Sequence, residues 1–277
     1  MHKMKTEKNK GLNILLNVLL AIYAVFALFP LIWMVILSFK PDAQMFNTTF
    51  IFSPTLDNYR NVLFRSDYPR YMRDSLIVSA LAVLVSVIVG VPAAYALARY
   101  DFKKKEDIAF QILSFKFAPE ILVVLPLFMI YQKLHLYDTY LGLIWVYQLI
   151  SMPLLIWVVR GYFEDISVEI EYAAQVDGYP WYQIFFKNLI PLIRPGLVSA
   201  ALLAFIFAWN EFTFPLLLAG AKVQTITVAI TKYLGTDTAH YGQLAVAAVI
   251  SALPAIIFAL IIQKHLVRGL SFGAVKG

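Results

Sequence analysis

No cysteine occurs among the 277 residues, and the four histidines, His2, His135, His240 and His265, lie far apart in the chain. The first absence excludes a disulfide framework and thiolate metal sites, and the second leaves no ligand-like spacing for a metal ion. Charge is scarce too. Only 14% of residues are charged, against roughly 25% in an ordinary soluble domain. With 61% hydrophobic residues, such a chain has too little polar surface for a water-soluble fold and belongs in a membrane. No G-x-x-x-x-G-K-[ST] loop is present to cradle nucleotide phosphates. Nor does any paired carboxylate, histidine base or nucleophile constellation outside the apolar runs ask for enzymatic chemistry. The net charge of +6 comes from basic residues that flank apolar runs, which is a topology pattern and not a nucleic-acid surface.

What is present is a succession of long apolar runs. A bilayer core about 30 Å thick needs roughly 20 apolar residues in a helix, because hydrocarbon leaves no partner for an exposed backbone amide. Six segments meet or approach that length: Gly11 to Phe39, Ser75 to Ala98, about Ile108 to Gln132, Thr139 to Val159, about Leu192 to Ala219, and Thr238 to Gln263. The first is preceded by lysines, but its charge-free length exceeds a signal-peptide core, so it reads as a retained helix. The expected fold is therefore all-α, a polytopic membrane protein with six transmembrane helices. With no low-complexity tract and no clear internal repeat, residues 1–277 read as one membrane domain.

Orientation follows from the basic residues. With the amino terminus inside, the inner segments hold Lys3, Lys5, Lys8, Lys10, Arg99, Lys103, Lys104, Lys105, Arg160, Lys187, Arg194, Lys264, Arg268 and Lys276. The outer segments hold Lys40, Arg60, Arg65, Arg70, Arg73, Lys133, Lys222 and Lys232. The excess on the first side predicts that both termini are cytoplasmic.

One polar segment, 164–191, stands between the fourth and fifth runs. Glu164, Asp165, Glu169, Glu171 and Asp177 accumulate there with no base between Arg160 and Lys187. The sequence predicts a short helix over Val168 to Val176, a bend at Asp177 and Gly178 where positive φ is allowed, and a second helix opened by Pro180 at its first position. Trp181, Tyr182, Phe185 and Phe186 give the second helix an apolar face, and Pro191 and Pro195 mark the start of the fifth span. A helix bound to anionic lipid headgroups would be basic. This one is acidic, and so suits a groove on a soluble partner.

Read residue by residue, Glu171, Ala173, Ala174, Asp177, Gly178 and Pro191 resemble the cytoplasmic coupling motif of ABC importer permeases, roughly E-A-A-x-x-D-G followed by a distant L-P. Tyr172 stands where that motif usually has its glutamate, so the resemblance rests on the alanines, glycine and proline. Four further stretches, Ser53 to Phe64, Val91 to Phe102, Phe207 to Leu218 and Gly269 to Gly277, are similar to the MalG-like branch of carbohydrate permeases. The resemblance implies a translocation subunit paired with a homologous second permease, two ATP-binding ATPase subunits and an extracellular solute-binding protein. It implies a carbohydrate as solute, a place in the cell membrane, and no cofactor in this chain, ATP being bound by the partner ATPases. The glycine-rich tail resembles the family segment that reaches toward them.

The intramembrane polar residues are the candidates for the solute path, because such groups face a bundle interior or a watery cavity. Lys116 and Glu120, four apart in the third run, form either a self-neutralising ion pair or part of the path. Tyr147 and Gln148 in the fourth run and Trp209, Asn210 and Glu211 in the fifth combine aromatic faces with amide and carboxylate groups, the chemistry that meets sugar hydroxyls. Their alternative role is interhelical packing. Two other functions remain: an ion-coupled secondary transporter, which would need intramembrane ion sites and paired broken helices, and an ABC importer for a sugar alcohol or glycerol phosphate.

Overall fold

A computed structural model of the chain describes residues 2–47, 49–234 and 240–272. Among the described residues every regular element is helical. In chain order these are α1 (His2–Ser38), α2 (Asp57–Phe64), α3 (Tyr68–Arg99), α4 (Lys105–Ser114), α5 (Glu120–Lys133), α6 (Tyr140–Val146), α7 (Gln148–Glu164), α8 (Glu169–Val176), α9 (Trp181–Gln183), α10 (Ile190–Trp209), α11 (Thr213–Leu218), α12 (Ile226–Ala229) and α13 (Tyr241–Phe272). A π-helical stretch, Ile184–Leu189, joins α9 to α10. Gly11–Ser38, Tyr68–Arg99, Trp181–Trp209 and Tyr241–Gln263 are long and apolar enough to cross a bilayer. Two bent pairs, α4 with α5 (92°) and α6 with α7 (43°), bring the number of spans to six when each pair counts as one. Thr238, the expected start of the last span, and the tail beyond Phe272 lie outside the described residues.

The chain divides into two compact units. One comprises Met1–Asp67 and Lys232–Ile250, the other Tyr68–Thr231 and Ser251–Gly277. In the first unit most of the apolar length of α1 from Leu12 to Ile32 is exposed, its last turns from Trp33 are mostly half-buried and Ser38 is buried, and the segment after it folds on a buried lysine. The Lys40 ammonium donates to the carbonyls of Asn47 and Thr49 and lies 5.7 Å from the rings of Trp33 and Phe52. Asn58 on α2 donates to the carbonyls of Ser38 (3.2 Å) and Lys40 (2.9 Å).

In the second unit α3, α7 and α10 pack side by side. Small residues set their spacing: a Cβ at Gly196 of α10 would stand 2.3 Å from the Tyr162 ring of α7. Two apolar cores result. One gathers Val91, Ala94 and Leu97 of α3, Leu155, Val159 and Phe163 of α7, and Ile193 of α10 around the end that carries α8. The other gathers Val78 and Ala82 of α3 with residues of α5, α6 and α11. The break at Ala118–Pro119 separates α4, with Ala109 in the first core, from α5, with Val124 and Tyr131 in the second.

Two expectations are corrected here. The third run is not one helix. A 3-10 turn at Phe115–Phe117 ends α4, Ala118 is extended, and Pro119 caps α5, because the residue before a proline is driven out of the helical region. The fifth run starts earlier than Leu192: α9, the π stretch and α10 form one rod from Trp181 to Trp209. Pro191 stops neither. It has no N–H to give, and the wider π register just before it accommodates the crowding that its ring would impose on the preceding turn.

Candidate functional site

The acidic segment folds as a helix, a tight bend and a second helix. Glu169 and Glu171 lie in the first turn of α8, where negative charge complements the helix dipole. The helix ends in a Schellman motif: Gly178 N–H donates to Gln175 O (3.0 Å) and Tyr179 N–H to Ala174 O (3.1 Å). Gly178 takes φ +83°, the left-handed conformation that a side chain disfavours. Pro180 stands one place earlier than expected, as the extended cap of α9 (φ −69°, ψ 153°), and its carbonyl receives the N–H of Gln183 at 2.9 Å.

The two faces of α8 differ in kind. Among its residues only Glu171 and Ala174 are buried. The Glu171 carboxylate accepts from Arg99 Nε and, at 2.8 Å, from the Tyr95 hydroxyl, while Arg99 Nη2 donates to Ile166 O at 2.9 Å. Glu171 therefore points into the chain. On the other face Ala173, Asp177 and Gly178 are exposed, together with Val176 (87%), Tyr172 and Tyr179, and Trp181 (69%) of α9 follows them. Pro191 lies exposed farther along the rod. Beside this element Arg160 of α7 bonds both Glu106 of α4 (2.5 Å) and Glu164 (2.7 Å).

The intramembrane candidates separate in the structure. Gln148 is bonded internally: its amide donates to Ala82 O (3.0 Å) and Ile144 O (2.9 Å), and its oxygen accepts from Ser86 Oγ (2.7 Å). Buried beside Tyr147, it ties α3 to α7. Trp209 is buried, donating to Ser251 O at 2.9 Å. Glu211 is buried in the break after α10, where its carboxylate accepts the Phe214 N–H (2.9 Å) and caps α11. Its carbonyl receives Thr227 Oγ1 at 2.6 Å. Of the three fifth-run residues only Asn210 is exposed, bonded through Nδ2 to Ile206 O. Lys116 and Glu120 form no ion pair within 4 Å among the described residues, since the 92° bend between them destroys the one-turn spacing. The Lys116 ammonium instead sits 3.8 Å from the centroid of the Phe207 ring, one helical turn from Asn210.

Three structural residues escaped the sequence reading. Arg99 counted there as a topology vote and Tyr95 as part of an apolar run, both within the Val91 to Phe102 stretch, and neither was assigned a partner. Asp138 carried no motif. At φ +56° its carboxylate receives the N–H groups of Gly220 (2.8 Å), Lys222 (3.0 Å) and Val223 (3.0 Å), while its own N–H donates to Leu218 O. Burial alone would raise this carboxyl, but the backbone donors of Val223, Lys222 and Gly220, helped by the Lys222 charge, outweigh it and hold Asp138 below the usual carboxylate range.

Residues 86–272 match the family described as "Binding-protein-dependent transport system inner membrane component". The trehalose transport system permease protein SugB of Mycobacterium tuberculosis is 38% identical over 257 residues, covering 91% of this chain and 93% of that protein. The trehalose/maltose transport system permease protein MalG of Thermococcus litoralis is 35% identical, covering 99% and 100%. Among solved structures, a chain of a bacterial ABC transporter involved in the import of the acidic polysaccharide alginate superposes with a TM-score of 0.77 at 26% identity, over 93% of this chain and 97% of that one. By the extent of these matches, the chain belongs to the family of binding-protein-dependent transport system inner membrane components, the permease subunits of ABC transporters.

Proposed function

We propose that this chain is the membrane-spanning permease of an ATP-driven importer that translocates a sugar or oligosaccharide by alternating access, after delivery by an extracellular solute-binding protein. The observation that carries the reading is the α8 to α9 element. An acidic and aromatic surface left exposed among the described residues is held by buried bonds onto the helices that cross the membrane, which is the arrangement a docking element for a motor subunit requires. Two ATP-binding subunits would dock there and hydrolyse the nucleotide, so the chain itself needs no cofactor. The exposed apolar stretch of α1, Leu12 to Ile32, offers surface both to the lipid bilayer and to a second, homologous permease. Both termini and α8 lie on the cytoplasmic side of the cell membrane in this reading, in accord with the basic residues of the inner segments.

Sugar as the solute class is supported by the names of the relatives, which transport trehalose, maltose or alginate. Asn210 and Lys116 supply the hydrogen-bond donors of the path, with the Phe207 ring beside them for a pyranose face. Gln148, Tyr147, Trp209 and Glu211 hold the helices that carry them. The test is uptake of labelled sugars into vesicles holding the permease pair, the ATPases and the binding protein. ATP-dependent uptake of a saccharide supports the proposal; uptake driven by an ion gradient without the ATPases overturns it.

A further inference from the structure

We infer that Glu171 and Arg99 form a positioning pair that carries displacement of α8 into α3, an inference that rests on the reading of α8 as the docking element. The pair is enclosed: the two side chains are only 7% and 9% exposed. Water and salt therefore screen it little, and removal of one partner strands a buried charge. Each group is also engaged beyond the pair. The second carboxylate oxygen takes the Tyr95 hydroxyl, and the guanidinium reaches past Glu171 to the Ile166 carbonyl in the turn that leads into α8. Tyr95 and Arg99 are four residues apart on α3 and so share one face. α8 is thus tied at two points to the last two turns of a membrane-crossing helix.

Apolar packing does not supply an equivalent hold. Apart from Glu171, the only residue that α8 buries is Ala174, which offers a single methyl group. The anchor continues into the bundle through Tyr95, whose ring packs edge-on against Phe163 of α7 (5.4 Å) and Phe185 of the π stretch (5.1 Å). Ion pairs elsewhere on this side are more open: Arg160 pairs with Glu106, whose side chain is 72% exposed. Tyr172, the next residue after Glu171, points outward at 60% exposure. Two neighbouring positions on one helix therefore divide the work, Tyr172 facing the partner and Glu171 holding the helix that the partner pushes.

The experiment uses the full complex in lipid vesicles with Glu171→Ala, Tyr95→Phe and the exchanged pair Arg99→Glu with Glu171→Arg. Three quantities are read: copurification of the ATPases, stimulation of ATP hydrolysis by solute-loaded binding protein, and amide exchange over α8 in the purified permease alone. For Glu171→Ala we expect copurification to persist, stimulation to fall on the order of tenfold, a usual size for coupling between sites, and exchange over Glu169–Val176 to accelerate. The exchanged pair should recover part of the stimulation, which a merely structural defect would not. Tyr95→Phe, which removes one oxygen, should give a smaller fall and keeps the test decisive if Glu171→Ala fails to assemble. Undiminished stimulation in Glu171→Ala, or α8 exchange unchanged by it, overturns the inference. A wild-type complex that shows no binding-protein stimulation overturns the docking reading instead, while the exchange measurement still decides whether the pair anchors α8.

Discussion

Substitutions at Gly178 separate backbone conformation from packing, because the two act there independently. A Cβ added at this position meets nothing within 4 Å, yet the residue sits at φ +83°. Its cost is therefore conformational. An ordinary L residue held in the left-handed region loses about 1–2 kcal/mol, and a β-branched one fares worst. At 1.4 kcal/mol for each tenfold, Gly178→Ala should reduce the population of the capped α8 terminus by about 5- to 30-fold, and Gly178→Val by at least as much. Gly178→Asn should cost far less, since asparagine visits this conformation readily. The Tyr179 amide, bonded to Ala174 O in the native cap, reports the loss directly by hydrogen exchange, and copurification of the ATPases reports its consequence. The expected order of retained function is Gly, Asn, Ala, Val. Equal defects in Asn and Val would refute the argument, because they would implicate side-chain bulk at a docking surface and not φ. So would a fully active Val variant.

Three further outcomes follow from the geometry. Asp138→Asn should destabilise the clasp between the 134–139 and 219–223 loops by about 1–3 kcal/mol, the value of hydrogen bonds to a charged group, seen as a lower melting temperature in detergent. Because the folded carboxyl lies below its usual range, its contribution is complete above the unfolded pKa of about 3.9 and is lost as pH falls through the lower folded value; wild-type stability should therefore lose this contribution only below about pH 4, and the Asn variant should show no such step. Gln148→Leu should lower stability by about 1 kcal/mol without changing the sugar concentration for half-maximal uptake, whereas a shift in that concentration would return Gln148 to the solute path. Asn210→Ala should raise that concentration while the complex assembles normally, and unchanged uptake kinetics would remove Asn210 from the path.

The order and number of the spans were legible because hydropathy acts over 20 residues at a time and tolerates local detail. The bends were less legible: the spacing argument for Lys116 and Glu120 passed over Pro119, which breaks the helix between them. A helical spacing argument holds only while the helix does, and that proline lies inside the spacing. Pro191 and Pro195 taught the reverse lesson: two prolines that read as a boundary sit within one rod, because a π turn absorbs the first. In the acidic segment the bend at Gly178 was readable from residue type alone, since few residues accept its φ. The direction in which Glu171 points was not, because its partners Tyr95 and Arg99 lie more than 70 residues earlier in the chain. Likewise, nothing in the local sequence distinguishes Gln148, buried with three bonds, from Asn210, which is exposed.

The most direct test of the central claim is solute uptake by proteoliposomes containing this permease, its homologous partner and the two ATPases, with the binding protein outside and ATP enclosed. Accumulation of a saccharide that requires both ATP and the binding protein, and that is abolished by Gly178→Val but preserved by Gly178→Asn, is the predicted result. Accumulation that proceeds without ATP under an imposed ion gradient would contradict it.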